Sequence, residues 1–108
     1  MLNVQMKRGL LDSCVLSALT GGDSYGYRII RELSPVMEIS ESTLYPILRR
    51  LEAAGALRTY SVEHGGRLRK FYSITDAGRR LLEENLDGWQ EIIRVYEFIK
   101  GAREDDKS

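Results

Sequence analysis

The chain has one cysteine, Cys14, one histidine, His64, and two prolines among its 108 residues. A single cysteine excludes an intrachain disulfide, and a lone histidine with one distant cysteine argues against a metal site. Cys14, on an apolar helix face, is interpreted as a buried small hydrophobe, and His64 as a solvent-facing loop residue. No apolar run approaches the roughly 20 residues of a membrane span, and no signal-peptide pattern is seen. These absences predict a cytoplasmic protein.

Residue combinations for catalysis are missing as well. The sequence offers no nucleophile paired with a histidine, no phosphate-cradling glycine motif and no carboxylate pair in a predicted cleft. An enzyme is therefore not expected, and no cofactor is predicted. The hydrophobic fraction of 43% and the charged fraction of 30% are those of an ordinary soluble globular domain.

The net charge of zero conceals an uneven distribution along the chain. Residues 49–80 carry eight basic and three acidic side chains, a net charge of +5. Residues 81–108 carry four basic and eight acidic side chains, and residues 1–48 carry four and five. Exposed charges more than about 10 Å apart are largely screened at ordinary salt, so the charge of a segment matters more than the total. The middle segment is compatible with nucleic acid.

The first third of the chain is predicted to form two helices. Apolar residues at i, i+4 and i+8 predict an amphipathic helix over residues 7–20, which ends at Gly21-Gly22. Asp23 or Ser24 is predicted to cap a second helix. That helix is expected to end at Ser34-Pro35, because the residue before a proline avoids the helical region.

A third helix is predicted from Ser40 or Ser42 to Gly55. The later start is favoured by Pro46, since an interior proline costs about 3 kcal/mol unless it lies near the first turn. The spacing of the apolar residues predicts the buried face, which comprises Leu44, Ile47, Leu48, Leu51 and Ala54. The outward residues include hydroxyls, a tyrosine and an arginine, which suit contacts to phosphates and base edges. The residues expected to point outward are Ser42, Tyr45, Pro46, Arg49 and Ala53, and the polar tip of the helix is residues 40–43. The candidates for contact among them are Ser42, Thr43, Tyr45 and Arg49. Taken alone, such a face is more often simply solvated.

A glycine-tipped basic hairpin follows this helix. Two β-prone runs, residues 56–62 and 68–75, are joined by a predicted loop over residues 63–67, whose glycines permit positive φ. Four side chains are expected to pack on the core, namely Tyr60, Val62, Tyr72 and Ile74. Three cations, Arg67, Arg69 and Lys70, are expected to reach phosphates or a minor groove. A charged hairpin is often only a soluble edge, but directly after such a helix it has the layout of a DNA-reading helix and its wing.

A long helix is predicted from Asp76 to about residue 100, capped by Thr75 or Asp76. Its apolar residues recur at 4–3–4–3 spacing, typical of coiled-coil a and d positions. They are Leu82, Leu86, Trp89, Ile93 and Tyr96. Because an apolar stripe beyond the compact core is unfavourable in water, dimerisation through this helix is expected. Trp89 is interpreted as a core or interface residue, with the wall of an aromatic ligand pocket as the alternative.

These segments together resemble the PadR family of transcriptional regulators, in its short form with one C-terminal helix. The resemblance spans roughly residues 7–100. It begins with Arg8-Gly9 and Tyr25-Gly26-Tyr27, continues through residues 43–52, and ends with residues 66–75 and Gly78. The Thr-Leu-Tyr-Pro helix joined to the Gly-Arg-x-Arg-Lys wing is specific in combination, whereas Tyr-Gly-Tyr alone is weak.

The resemblance implies a mainly α fold with a small β-hairpin. Residues 1–75 would form a winged helix-turn-helix domain, and residues 76–108 a C-terminal dimerisation helix with a short tail. The first and last helices would build a homodimer, with Leu11 and Val15 joining the stripe of the last helix. Such a dimer would repress by binding a pseudo-palindromic operator. Some relatives also bind flat aromatic compounds between two copies of the tryptophan that Trp89 matches.

A rival interpretation from another class remains open. Winged helices also serve as dimerisation scaffolds, so the chain could be a protein-interaction module without sequence-specific DNA binding. In that case the wing arginines would be dispensable, and the stripe of the last helix would carry the function. The two interpretations differ in what replacing Arg67 and Arg69 should do.

Overall fold

The computed structural model describes residues 3–107 of the chain, with side chains through residue 104. Within these residues, four helices and three strands follow one another. In order they are α1 (Val4–Ala18), β1 (Ser24–Tyr25), α2 (Gly26–Leu33), α3 (Glu41–Ala53), β2 (Leu57–His64), β3 (Arg67–Ile74) and α4 (Asp76–Lys107). The predicted fold class, mainly α with a β-hairpin and a long last helix, is confirmed.

The sheet contains a short strand that the sequence did not predict. Its three antiparallel strands lie in the order β1-β3-β2. Ser24 pairs with Tyr72, and Tyr25 pairs with Phe71. The predicted capping of α2 by Asp23 or Ser24 is therefore wrong. Tyr25 is the N-cap residue, and its side chain makes no capping hydrogen bond.

The start of α3 also differs from the favoured prediction. Ser40 is the N-cap residue, because its Oγ accepts a hydrogen bond from the Thr43 amide at 3.3 Å. The helix begins at Glu41, so Pro46 lies inside it. The amide that Pro46 lacks would have bonded to the carbonyl of Ser42. Both residues are exposed, so water can reach that carbonyl.

The hydrophobic core lies between the first three helices and the base of the hairpin. Its largest fully buried side chains include Leu16, Leu19, Ile29, Leu44 and Leu48. The predicted buried face of α3 is confirmed at Leu44, Ile47, Leu48 and Leu51. It is wrong at Ala54, which is the exposed C-cap residue. There the chain reverses at Gly55, whose φ is 79°, and the Ala56 amide donates to the Leu51 carbonyl at 2.8 Å.

The hairpin turns at Gly65 and Gly66, with φ of 58° and 81°. Positive φ at both central residues is the feature of a two-residue type I′ turn. The predicted five-residue loop is too long, because Glu63, His64 and Arg67 belong to the paired strands.

The core reaches only the base of this hairpin. Tyr72 is buried and Ile74 is half-buried against the core, as predicted. Tyr60 and Val62 are each 42% exposed, so their prediction as core residues is wrong. The alternation of the strand continues outward, but the helices that would cover these two side chains do not extend that far.

Helix α4 contains 32 residues and is longer than predicted. Thr75 caps it, as predicted, because its Oγ1 accepts a hydrogen bond from the Gly78 amide at 3.0 Å. The radius of gyration is 17.4 Å, whereas a compact domain of this length has about 13 Å. The excess arises because α4 projects beyond the core. Within residues 3–107, no helix is both long and apolar enough to cross a membrane.

Candidate nucleic-acid interface

Helix α3 turns a polar edge away from the core. Ser42, Thr43 and Arg49 are all exposed on it, as predicted. The Ser40 hydroxyl lies 2.9 Å from the hydroxyl of Ser42 and 3.2 Å from that of Thr43. The start of the helix therefore presents a cluster of three hydroxyl groups, each able to donate to phosphate oxygens or to acceptors on base edges.

Tyr45 stands beside this edge and is held by α2. Its side chain is half-buried rather than fully exposed, because the phenol lies against Gly26, the first residue of α2. A tyrosine in this position has a fixed ring and an accessible edge. Sequence spacing correctly places Tyr45 outward from the core but does not reveal its contact with α2.

The wing exposes every residue from 61 to 70. Arg67 lies next to the glycine turn and is paired with His64 across the strands. Arg69 and Lys70 lie nearer the body of the domain. All three predicted cations are thus accessible to a large anionic partner, and the segment that carries them is the basic one.

Arg69 and Lys70 rest on aromatic rings of the domain. The guanidinium carbon of Arg69 lies 4.1 Å from the centre of the Tyr25 ring, and the Lys70 ammonium lies 5.6 Å from that of Tyr72. Cations over aromatic faces are attracted by the ring quadrupole and lose little of their charge to the contact. These contacts therefore restrict the positions of the two charged groups.

An open cleft brings the wing and α3 together. Its volume is about 440 Å³, and it lies between the start of α2, α3 and strand β3. Its lining residues are Tyr25, Gly26, Tyr27, Tyr45, Arg69, Lys70 and Tyr72. Of the predicted contact residues, Tyr45, Arg69 and Lys70 meet in this cleft. Arg67 lies out at the tip, and Ser42 and Thr43 lie on the other flank of α3.

The cleft contains two residues that sequence reasoning did not assign to it. These are Tyr25, which belongs to β1, and Tyr27, which is 59% exposed in the first turn of α2. The feature of the sequence that could have revealed this cleft is Gly26, the glycine between the two tyrosines. Glycine is often used where another group approaches the backbone closely, and here that group is the Tyr45 ring.

The base of the wing is braced by Tyr60. Its ring stacks on Phe71 with a centroid separation of 5.6 Å, and its hydroxyl donates a hydrogen bond to Asp23 Oδ2 at 2.6 Å. This hydrogen bond lowers the pKa of the Asp23 carboxyl and raises the pKa of the Tyr60 phenol. The exposed tyrosine therefore ties the wing to the loop that precedes β1.

Helix α3 is also tied to α1 by an ion pair. Arg50 donates to the carboxylate of Asp12, which is half-buried. Burial raises the pKa of the Asp12 carboxyl, and the Arg50 guanidinium opposes that rise. The pair fixes the two helices relative to each other, although its net contribution to stability is small once the cost of desolvation is included.

Trp89 lies where α4 packs on α1. Its ring approaches Gly9, where an added Cβ would lie 3.8 Å from the indole Cζ2. Nearby, Asn85 donates to the Ser13 hydroxyl at 2.9 Å. An open groove of about 470 Å³ runs alongside, bounded by α1, the end of α2 and α4. Trp89, Leu86 and Cys14 are among its lining residues.

The predicted dimer residues fall into three groups. Leu86, Ile93 and Tyr96 are 45–58% exposed on α4, and Trp89 lines the groove. Val15 has no exposed surface and Leu82 is only 9% exposed, so the prediction is corrected there, because both belong mainly to the core of one chain. Leu11 lies on the side of α1 that faces α3 rather than the groove.

A three-stranded sheet whose hairpin projects beside an exposed third helix defines a winged helix-turn-helix domain. The hydroxyls and cations gathered on that side are groups of the kinds that contact phosphates and base edges in nucleic acids. The chain belongs to the PadR family of transcriptional regulators, because residues 15–84 match the family described as "Transcriptional regulator PadR-like family". Members are DNA-binding regulators of transcription and not enzymes.

Relatives agree with this assignment over most of their length. The transcriptional regulator Rv3488 of Mycobacterium tuberculosis is 33% identical, covering 83% of this chain and 85% of the relative. A PadR-like transcription factor from Bacteroides fragilis is 33% identical with a TM-score of 0.80, over 88% and 94% of the two chains. A PadR family regulator from Eggerthella lenta is 34% identical with a TM-score of 0.79, over 89% and 86%.

Proposed function

We propose that the protein is a homodimeric repressor that binds a pseudo-palindromic operator. In each copy α3 enters a major groove, where Ser42, Thr43, Tyr45 and Arg49 contact bases and nearby phosphates. Arg67, Arg69 and Lys70 of the wing bind the adjacent backbone. The observation that carries the proposal is the open cleft in which Tyr45 of α3 meets Arg69 and Lys70 of the wing.

The exposed surface of α4 supports dimerisation. Seven large apolar side chains on this helix are between 45% and 77% exposed. They are Leu86, Ile92, Ile93, Val95, Tyr96, Phe98 and Ile99. Burying the apolar surface that they still expose would contribute about 25 cal/mol per Å², and a second copy of α4 is the surface of matching length and character. With the two chains related by a twofold axis, the two α3 helices would lie about 34 Å apart, one turn of DNA.

Selection of bound sequences from a random duplex library tests the DNA proposal. We expect a two-part consensus that binds at least about 10³-fold more tightly than a scrambled duplex. Replacing Arg67 and Arg69 with alanine should weaken binding while sedimentation still shows a dimer. The Arg103→Ala variant, which removes a cation far from the wing, is the control. If the wild-type protein prefers no duplex, and the wing variants bind DNA as the wild type does, the result would instead support an interaction module.

Cys14 offers a direct test of the dimer, because it is the only cysteine and lines the α1–α4 groove. In the proposed dimer the partner's α4 covers this groove. We therefore expect a thiol reagent to react more slowly as the protein concentration rises. The Ile93→Asp variant, which places a charge in the stripe of α4, should stay monomeric and keep the fast rate. An unchanged rate, together with a monomeric mass at micromolar concentration, would contradict the dimer.

We further propose that a flat aromatic compound relieves repression by binding between the two subunits, beside Trp89 and beneath the partner's α4. The groove next to Trp89 is largely apolar, being lined by Leu10, Leu33 and Leu86 among others. A compound that favours a different spacing of the two domains would weaken operator binding, and the operator would weaken its binding equally. Trp89 is the only tryptophan, so quenching of its fluorescence reports binding. Titration of a panel of planar aromatics with and without operator measures both effects, and no quenching by any compound would leave Trp89 with a packing role only.

A further inference from the structure

A second cleft lies on the other flank of α3, between the start of that helix and the N-terminal half of α1. Its volume is about 330 Å³. Lys7, Arg8, Ser42, Thr43 and Arg50 are among the residues that line it. Because Ser42 and Thr43 are exposed at the start of α3, the cleft opens onto the same end of the helix that is proposed to contact DNA.

The two flanks of α3 face different neighbours. Ser42, Pro46 and Arg50 follow i, i+4, i+8 spacing and line the cleft toward α1. On the other flank, Tyr45 contacts Gly26, and Glu52 accepts a hydrogen bond from Thr59 of β2 at 2.9 Å. The outward edge of α3 is therefore flanked by the wing on one side and by α1 on the other.

The cations of α1 in this cleft are not among the residues that line the groove proposed to hold the partner. That groove is lined by Leu10, Cys14 and Ser17, which share one face of α1. Arg8 lies with Leu11 on the face turned to α3, whereas Lys7 lies between the two faces, because it precedes Cys14 by seven residues. A partner helix seated in the groove would consequently leave Arg8 accessible and would have Lys7 at its edge.

The charge of the cleft is positive. Lys7 and Arg8 are exposed, and neither forms a salt bridge with a side chain that the structure describes. Arg50 is already paired with Asp12, and the first turn of α1 holds no acidic residue. Glu41, the first residue of α3, adds one carboxylate, which the two cations of α1 outweigh. Residues 1–48 are slightly acidic as a segment, although residues 1–11 carry two basic and no acidic side chains. Folding places this short basic stretch beside the start of α3.

We infer that Lys7 and Arg8 bind backbone phosphates of the operator, on the side of each reading helix opposite to the wing. The inference rests on the proposed DNA-binding function. With α3 in the major groove, the wing and α1 would hold the sugar-phosphate backbone on either side of it. These contacts carry no base information and fix the position of α3 in the groove. An arginine can bind a phosphate through two parallel hydrogen bonds, and a lysine acts as a point charge.

The salt dependence of operator binding tests this inference. The slope of log K against log salt is negative, and its magnitude decreases by about 0.9 for each phosphate contact removed. Removing two contacts in each of two copies should therefore decrease it by about 3.6. We expect this loss in the Lys7→Gln, Arg8→Gln double variant, with the consensus sequence unchanged. The charge-preserving Lys7→Arg, Arg8→Lys variant should keep the wild-type slope. Thermal unfolding and sedimentation of each variant separate lost contacts from lost structure.

The matched control removes two cations far from the cleft. A Lys100→Gln, Arg103→Gln variant of α4 should keep the wild-type slope, because the effect depends on position and not on total charge. An unchanged slope in the α1 variant, with wild-type protein still preferring its operator, overturns the inference and leaves the proposed function intact. Equal losses in the α1 and α4 variants also overturn it. Wild-type protein with no sequence preference would reject the proposed function itself.

Discussion

Gly26, the first residue of α2, lies directly against the phenol of Tyr45 in α3. A Cβ atom at Gly26 would lie 2.9 Å from Tyr45 Cζ and 3.1 Å from Cε1, which is closer than carbon atoms pack at their optimal separation. The absence of a side chain at Gly26 therefore allows the Tyr45 ring to take this orientation. This contact links the Tyr-Gly-Tyr segment to the proposed DNA contact made by Tyr45.

Replacing Gly26 with alanine should displace the Tyr45 ring. We expect a loss of about 1–3 kcal/mol in the free energy of unfolding, as for other overpacked sites, and weaker binding to the selected operator. Urea unfolding and operator titration measure the two effects. In a Tyr45→Ala background the added methyl group meets no ring, so its cost should largely disappear. If Gly26→Ala costs as much there, the contact with Tyr45 is not its cause. Gly21→Ala, where an added Cβ meets nothing within 4 Å, is the control.

The Tyr25 ring should be energetically coupled to Arg69. The guanidinium lies 4.1 Å from the ring centre, and such contacts at exposed sites contribute about 0.5–1 kcal/mol. A double-mutant cycle of Tyr25→Leu and Arg69→Gln, measured by urea unfolding, should return a coupling energy of that size. The control cycle pairs Tyr25→Leu with Arg67→Gln, at the tip of the wing, and should return none. Equal coupling in both cycles would mean that Tyr25 acts on the whole hairpin.

The hydrogen bond between Tyr60 and Asp23 should give a defined pH dependence. Its effect lowers the folded-state pKa of Asp23 below 3.8 and raises that of Tyr60 above 10.0. A lowered carboxyl pKa contributes stability that is lost as the pH falls through the folded value. A raised phenol pKa contributes stability that is lost as the pH rises through it. The stability difference between wild type and Tyr60→Phe should thus be constant between about pH 5 and 9 and shrink at both extremes.

Titration of the Asp23 carboxyl, followed by NMR, tests directly whether the hydrogen bond from Tyr60 lowers its pKa. In Tyr60→Phe the pKa of Asp23 should move up toward 3.8, the ordinary value for the side chain. Tyr27→Phe, at an exposed tyrosine outside this hydrogen bond, should leave the Asp23 titration unchanged. A stability difference that varies smoothly across neutral pH would point to a different titrating group.

Local signals in the sequence were sufficient for most of the helices. The spacing of Leu44, Ile47 and Leu48 predicted the inner face of α3, because side-chain direction in a helix follows directly from position. Strand β1 was not predictable in the same way. It contains two residues, too few for any alternation, and exists only because Ser24 and Tyr25 pair with Tyr72 and Phe71.

The errors in the candidate site share a related cause. Tyr60 and Val62 have the alternation of core residues, but how far a hairpin extends past its covering helices is a property of the whole fold. The same holds for the position of Lys7 and Arg8, whose charge is visible in the sequence but whose place beside the start of α3 is not. The sequence was sufficient to predict helix α3 and the hairpin, but not the surfaces formed between elements.

The two serines at the start of α3 should separate stability from DNA binding. Ser40 caps the helix, since its Oγ accepts the Thr43 amide, so Ser40→Ala should lower the free energy of unfolding by about 0.5–2 kcal/mol. Ser42 is the second residue of α3 and lies on its polar edge, and Ser42→Ala should change stability by less than about 0.5 kcal/mol while weakening operator binding. Urea unfolding and operator titration of both variants distinguish the roles. A larger loss of stability from Ser42→Ala would mean that the helix begins later, as Pro46 suggested from the sequence.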